Sequence, residues 1–221
     1  MARLDRDGDV FVLNLGDTEN RFTLTAIEEL NAALDEVANT EGPRALITVA
    51  EGNIWSNGLD LDWLLANPDH SRTYVTDVQE IFVKFLTLPL PTVAAISGHA
   101  FAAGMMMALS HDYRIMRADR GYLCLPEVDL QIPFTWGMSS LIHARLAPQV
   151  AHDAMVMGRR YGGDEAKALN IVDDAVAEDM VLSTARELIA PLASKASPSM
   201  GTIKKRLYAE TISQLRSVAE A

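Results

Sequence analysis

The stretch VAAISGHAFAAGMMMAL, residues 93–109, changes character halfway along. Val93–Ile96 is a β-rich run, whereas Ala102–Ser110 is rich in alanine and methionine. Ser97, Gly98, His99 and Gly104 interrupt it. A membrane-spanning helix needs about 20 consecutive apolar residues, so the stretch reads as a buried strand, a turn and a buried helix.

Working outward, the same strand-to-helix alternation recurs. Toward the N-terminus, Val10–Leu15 and Ala45–Ala50 read as strands. Between them Thr23 or Thr25 caps a helix reaching about residue 39, with Ile27, Leu30, Ala33, Leu34 and Val37 on one face. A glycine-containing loop, Glu51–Gly58, follows the second strand, and a short helical stretch begins near Leu61. Tyr74–Thr87 is an amphipathic helix stopped by Leu88-Pro89-Leu90-Pro91, because each proline biases its predecessor away from helix. Toward the C-terminus, Tyr113–Met116 and Tyr122–Leu125 are short strands. Helices then dominate, at about 134–146, 148–157, 163–169, 178–193 and 197–208, with one short apolar piece at Ile171–Val172. The pattern predicts an α/β protein with a sheet core and a helical C-terminal portion. No internal repeat or low-complexity segment is visible in the sequence.

Composition narrows the function. The 221 residues are 49% hydrophobic and carry a net charge of −11, which fits one globular unit and argues against a nucleic-acid binder. A single cysteine, Cys124, excludes an intramolecular disulfide and disfavours cysteine-based metal sites. The charged N-terminus lacks a signal-peptide core, and the terminal Ala219-Glu220-Ala221 is not a Ser-Lys-Leu address. A cytoplasmic protein without membrane association is the expectation. Walker, G-x-G-x-x-G, H-E-x-x-H and G-x-S-x-G motifs are absent from the sequence.

Two turns and one acid remain. Trp55-Ser56-Asn57-Gly58-Leu59-Asp60-Leu61 follows a strand and its loop, and Gly98–Gly104 joins a strand to a helix. Small residues there let backbone approach a ligand, and the second turn aims free helix N–H groups at it. Together they can supply two convergent donors for an enolate or tetrahedral oxyanion; equally, both are ordinary turns packed on a sheet. Glu127 lies in the largely apolar segment Leu123–Phe134. Burial there would raise its pKa toward neutrality and suit it to shuttle a proton. The competing reading is a solvent-facing loop acid, and Asp129 is an equal candidate by the same reasoning.

Taken together, SNGLDL (56–61), GHAFAAG (98–104) running into MMMALSHDYRIM (105–116), and PEVDLQIP (126–133) resemble the crotonase, or enoyl-CoA hydratase/isomerase, superfamily. GGDEAKALNIVD (162–173) is similar to a later segment of that family. Glu19-Asn20-Arg21-Phe22 is similar to the Δ3,Δ2-enoyl-CoA isomerases of the plant peroxisomal type. The resemblance spans nearly the whole chain in the family's motif order. It implies a spiral of ββα units over residues 1–160 carrying an acyl-CoA site, and a helical trimerisation region over 161–221. A homotrimer or hexamer is implied, with an enoyl-CoA thioester as substrate and coenzyme A as part of that substrate rather than a separate cofactor. The helix near 197–208 is expected to be the last, leaving the family's longer C-terminal helices truncated or absent.

The family's roles map onto Leu59 and Ala103 as backbone oxyanion donors and onto Glu127 as the acid–base. Asn57, Gly58, Asp60, Gly104 and Met106 are implied around the substrate; Phe134 and Trp136 either wall the acyl channel or pack between helices, and Arg21 either meets the CoA phosphates or ribose or is a plain surface arginine. No metal is implied. Hydratases of the family use two glutamates, and here the first position is Met106. One carboxylate suffices for a 1,3 shift of a double bond, so the resemblance implies conversion of 3-enoyl-CoA to 2-enoyl-CoA. Hydration, thioester hydrolysis or cleavage using Asp60 or Asp129, and acyl-CoA binding without turnover are the alternatives. Met105 and Met107 read as core filling, His99 as structural, and His111-Asp112 as a structural polar pair. The negative net charge implies that CoA phosphates are held locally, by helix N-termini and bases such as Arg21.

Overall fold

A computed structural model describes residues 2–217; the Ala219-Glu220-Ala221 terminus lies outside them. The chain enters as a hairpin in which β1 (Arg3–Asp7) pairs antiparallel with β2 (Val10–Asn14). β1 has the charged sequence Arg-Leu-Asp-Arg-Asp and is mostly exposed, so only its pairing makes it a strand. β3 (Arg21–Phe22) leads into α1 (Leu24–Asn39), capped by Thr23 rather than Thr25, whose hydroxyl accepts from the Ala26 N–H. Its buried face is Ile27, Leu30, Ala33, Leu34 and Val37, as the spacing predicts.

The chain then takes the same step three times: a strand in a large sheet, a turn, a short strand in a second sheet, and a helix. The first step is β4 (Ala45–Val49) and β5 (Ile54–Ser56), followed by β6 (Gly58–Leu59), α2 (Leu61–Ala66) and α3 (Ser71–Thr87). A single 3-10 turn, Pro68–His70, joins the two helices. The second is β7 (Thr92–Ile96), β8 (His99–Phe101) and α4 (Ala103–Leu109). The third is β9 (Tyr113–Arg117), β10 (Leu123–Cys124) and α5 (Glu127–Leu130). β4, β7 and β9 lie side by side and parallel in the large sheet, and β5, β8 and β10 do the same in the second. β3 and β6 form a separate parallel pair. This is a spiral of ββα units. Its regularity is structural, with no repeat in the sequence to announce it.

Helices α6 (Trp136–Arg145) and α7 (Pro148–Met157) follow. β11 (Arg160–Tyr161) closes the second sheet antiparallel to β10. After α8 (Gly163–Ala168), β12 (Asp174–Val176) completes the large sheet beside β9. Ile171 and Val172 are buried but precede this strand rather than forming it. α9 (Val181–Ile189), α10 (Pro198–Leu207) and α11 (Ala209–Arg216) end the described chain. α11 corrects the expectation that the helices stop near residue 208. Gly137 on α6 packs so closely on it that a Cβ would stand 2.5 Å from the Leu215 Cα.

The large sheet is covered on both faces, and alternation along its strands sorts side chains between two cores. Leu46, Ala94 and Ile96 face the main core shared with α1, α3 and α4. Ala45, Ile47, Val93 and Ala95 face a smaller core closed by Val181, Ala185 and Ile189 of α9. Residues 93–109 are thus a strand, a second strand and a helix. Among the described residues no helix is long and apolar enough to cross a membrane.

Candidate active site

The two turns noted in the sequence pack on each other as one structure. Gly58 has φ +80°, and a Cβ on it would stand 2.9 Å from both the Ala103 nitrogen and the Phe101 carbonyl oxygen. A Cβ on Gly104 would stand 2.4 Å from the Ser56 carbonyl oxygen. Neither contact tolerates a side chain, so both glycines are required for the approach of β5–β6 to α4. Between them Ala102 takes φ +51° and ψ −126°, a costly conformation for an L residue. Its N–H donates to the Cys124 carbonyl at 2.9 Å and its own carbonyl accepts from Met106 N–H, which holds the kink. Ala103, the first residue of α4, therefore has an N–H with no acceptor inside the helix. None meets it among the described residues.

Leu59, Ala103, Met106 and Glu127 line one cavity of about 510 Å³. Its walls are mainly apolar, with Leu64, Val75, Leu130, Ile132 and Met138 among them. Glu127 is the first residue of α5 and only 8% exposed, and its Oε2 atom has no hydrogen-bond partner. Burial pushes its carboxyl up to about 7, against a smaller opposing effect of its own backbone N–H. Asp129, on the solvent side of the same turn of helix, is exposed. Burial thus separates two acids that local sequence left equal.

The remaining predicted residues divide. Asn57 and Arg21 line the cavity, and Arg21 is tied to Glu19 at 2.7 Å and Asp62 at 3.3 Å. Gly58 and Gly104 lie beneath the lining as backbone packing. Asp60 caps α2 through Trp63 N–H instead of facing the cavity. Phe134 packs on the main core while its neighbours Pro133 and Thr135 line the cavity, and Trp136 is 70% exposed. Met105 and Met107 are core residues, as expected. His111 and Asp112 are structural but do not pair. His111 bridges Thr48 Oγ1 and the Met107 carbonyl, each at 2.8 Å, while Asp112 bonds Thr92 and Lys204. His99 lies partly buried between Phe101 and Tyr122. Sequence reasoning missed Ser71 and Arg72, which line the cavity from the first turn of α3, because the helix starts three residues before the amphipathic pattern becomes visible.

The family model for enoyl-CoA hydratase/isomerase matches residues 6–221. The Arabidopsis thaliana peroxisomal enoyl-CoA delta isomerase 2 is 37% identical, covering 95% of this chain and 93% of its own. Enoyl-CoA delta isomerase 3 of the same plant shows 37% identity with the same coverage. Among solved structures, an apo Mycobacterium tuberculosis enoyl-CoA isomerase aligns at 22% identity and TM-score 0.89, covering 98% of this chain and 94% of that one. An enoyl-CoA hydratase/isomerase family protein of Pseudomonas syringae aligns at 22% identity and TM-score 0.91, covering 98% and 94%. These structures bear on the fold, and the sequence matches bear on descent. With a family model spanning almost its whole length, the chain belongs to the enoyl-CoA hydratase/isomerase family.

Proposed function

We propose that this protein is an enoyl-CoA isomerase that moves a double bond from the 3- to the 2-position of an acyl-CoA. The observation that carries this reading is a single buried carboxylate, Glu127, sharing an apolar cavity with Leu59 and Ala103 while Met106 occupies the position where family hydratases carry their other glutamate. The substrate's thioester oxygen accepts from the N–H groups of Leu59 and Ala103. Glu127, as carboxylate, removes an α-proton, leaving a dienolate whose charge the two donors hold. Protonated Glu127 then returns the proton at the γ-carbon, so the double bond shifts with no net change of protons. Met106 excludes the water that hydration requires. Two preorganised donors and one positioned acid–base are each worth orders of magnitude: about 10²–10³ in rate per donor and about 10²–10⁴ for the proton shuttle.

Arg21 and the exposed Arg72 on the rim suit the CoA phosphates. A homotrimer or hexamer accords with the exposed apolar side chains Val128 on α5 and Val156 and Met157 on α7. The test of the activity offers purified protein 3-cis- and 3-trans-enoyl-CoA and, separately, 2-trans-enoyl-CoA. The expected result is 2-enoyl-CoA from the first pair, reduced at least about 10²-fold by Glu127→Gln. Rapid 3-hydroxyacyl-CoA formation from the second substrate would overturn the reading in favour of a hydratase.

A further inference from the structure

The Tyr74 hydroxyl stands where the β3–β6 pairing ends. It accepts from the Asp60 N–H at 2.8 Å and donates to the Phe22 carbonyl at 2.6 Å. Phe22 and Leu59 are register partners in that pair. The hydroxyl is therefore spliced between the two strands just after Leu59, spanning a gap that a direct strand-to-strand bond would have closed. Tyr74 is 2% exposed on α3, and its ring packs on Trp63 of α2 at 5.1 Å between centroids. Asp60, whose N–H it receives, caps α2. One side chain thus ties together β3, the Leu59–Asp60 peptide and two helices that wall the cavity. Burial lifts its phenol to about 12, so the hydroxyl stays protonated and keeps its donor across the working pH range.

We infer that Tyr74 is a positioning residue for catalysis, fixing the Leu59–Asp60 turn so that the Leu59 N–H points at the substrate's thioester oxygen. This rests on the isomerase reading, in which Leu59 is an oxyanion donor. Tyr74 touches no reacting atom. Its loss would let the strand pair close or drift and rotate the donor away, and displacement of a catalytic group by about 1 Å can cost 10²-fold.

The test is Tyr74→Phe, with steady-state isomerisation of 3-enoyl-CoA measured across pH, melting temperature, and the infrared carbonyl stretch of a bound saturated acyl-CoA carrying a ¹³C thioester carbonyl. The expected result is kcat down about 10- to 100-fold with KM within about threefold. The apparent pKa of kcat/KM stays at the wild-type value, and the carbonyl stretch returns part-way toward that of free acyl-CoA. Glu127→Gln, by contrast, lowers turnover at least about 10²-fold while keeping the wild-type carbonyl stretch. If Tyr74→Phe retains both wild-type kcat and the wild-type stretch, the positioning role falls and the isomerase reading stands. If the wild-type protein neither isomerises 3-enoyl-CoA nor shifts the stretch, both fall. Should Tyr74→Phe not fold, 3-fluorotyrosine at position 74 keeps the packing and weakens the hydroxyl as an acceptor. A kcat at least halved at constant KM then supports the role, and an unchanged kcat overturns it.

Discussion

Glu127 sets the pH behaviour of the site, because burial shifts it toward the charge-free form. Proton abstraction needs the carboxylate, so kcat/KM should be level above pH 7 and fall tenfold per pH unit below it, with an apparent pKa near 7. A rate independent of pH between 5 and 8 would contradict this assignment. The same burial costs stability. The folded chain holds a proton on Glu127 that the unfolded chain releases at its ordinary value, so stability contributed by this group is full below the unfolded pKa of 4.5 and is lost as pH rises toward 7. Glu127→Gln should therefore be more stable than wild type at pH 8, by up to about 3 kcal/mol in urea denaturation, and no more stable at pH 4. Buried His111 acts with the opposite sign. Its pKa is lowered to about 3, so its contribution is full above 6.5 and lost as pH falls below that value.

At the scale of elements, the β5–β6 and β8–α4 turns carry the two proposed backbone donors, and α5 carries the acid. Leu59, Ala103 and Glu127 were singled out by the resemblance of their short motifs to a known family, since local sequence alone left both turns open to plain packing and left Glu127 and Asp129 equal. The cavity walls were not legible, since Val75, Met138 and Arg72 meet only when α3, α6 and the turns are brought together. The longer elements of the large sheet, such as β4 and β7, announce themselves as apolar runs, whereas β3, β6 and β8 are two or three residues long and too short to show a period. α5 is a single turn of helix beginning after a proline, and β12 is only half-buried, so neither carries a hydrophobic signature. At this scale Gly104→Ala should be severe. Its Cβ would drive α4 off the Ser56 carbonyl, and we expect a lower melting temperature with loss of isomerisation greater than about 10²-fold from the displaced Ala103 donor. Ala102→Gly should do the reverse to stability. Relief of strain of about 1–3 kcal/mol outweighs the added freedom of the unfolded chain, about 0.4–1 kcal/mol, so urea denaturation should give a net gain near 1 kcal/mol.

For the molecule as a whole, the C-terminal helices are fastened to the spiral by buried polar contacts rather than by apolar area alone. Lys204 on α10, 5% exposed, donates to the Leu90 carbonyl at 2.8 Å and to Asp112 at 2.6 Å. Arg145 on α6 reaches the Leu109 and His111 carbonyls at the end of α4, and Gln79 on α3 donates to the Leu215 carbonyl of α11. Lys204→Met should leave Asp112 without its cation and lower stability by about 3 kcal/mol in chemical denaturation, with little change in KM. A variant as stable as wild type would show that this anchor is dispensable. The spiral also has a consequence in time. The two proposed oxyanion donors, Leu59 and Ala103, come from consecutive windings, brought together by parallel pairing of β5 with β8 across a long stretch of intervening chain. Contacts of that kind form late, because the entropy of closing the loop precedes any reward. During refolding, helical signal should therefore return well before turnover does, and the lag between them would time the moment at which one winding settles onto the next.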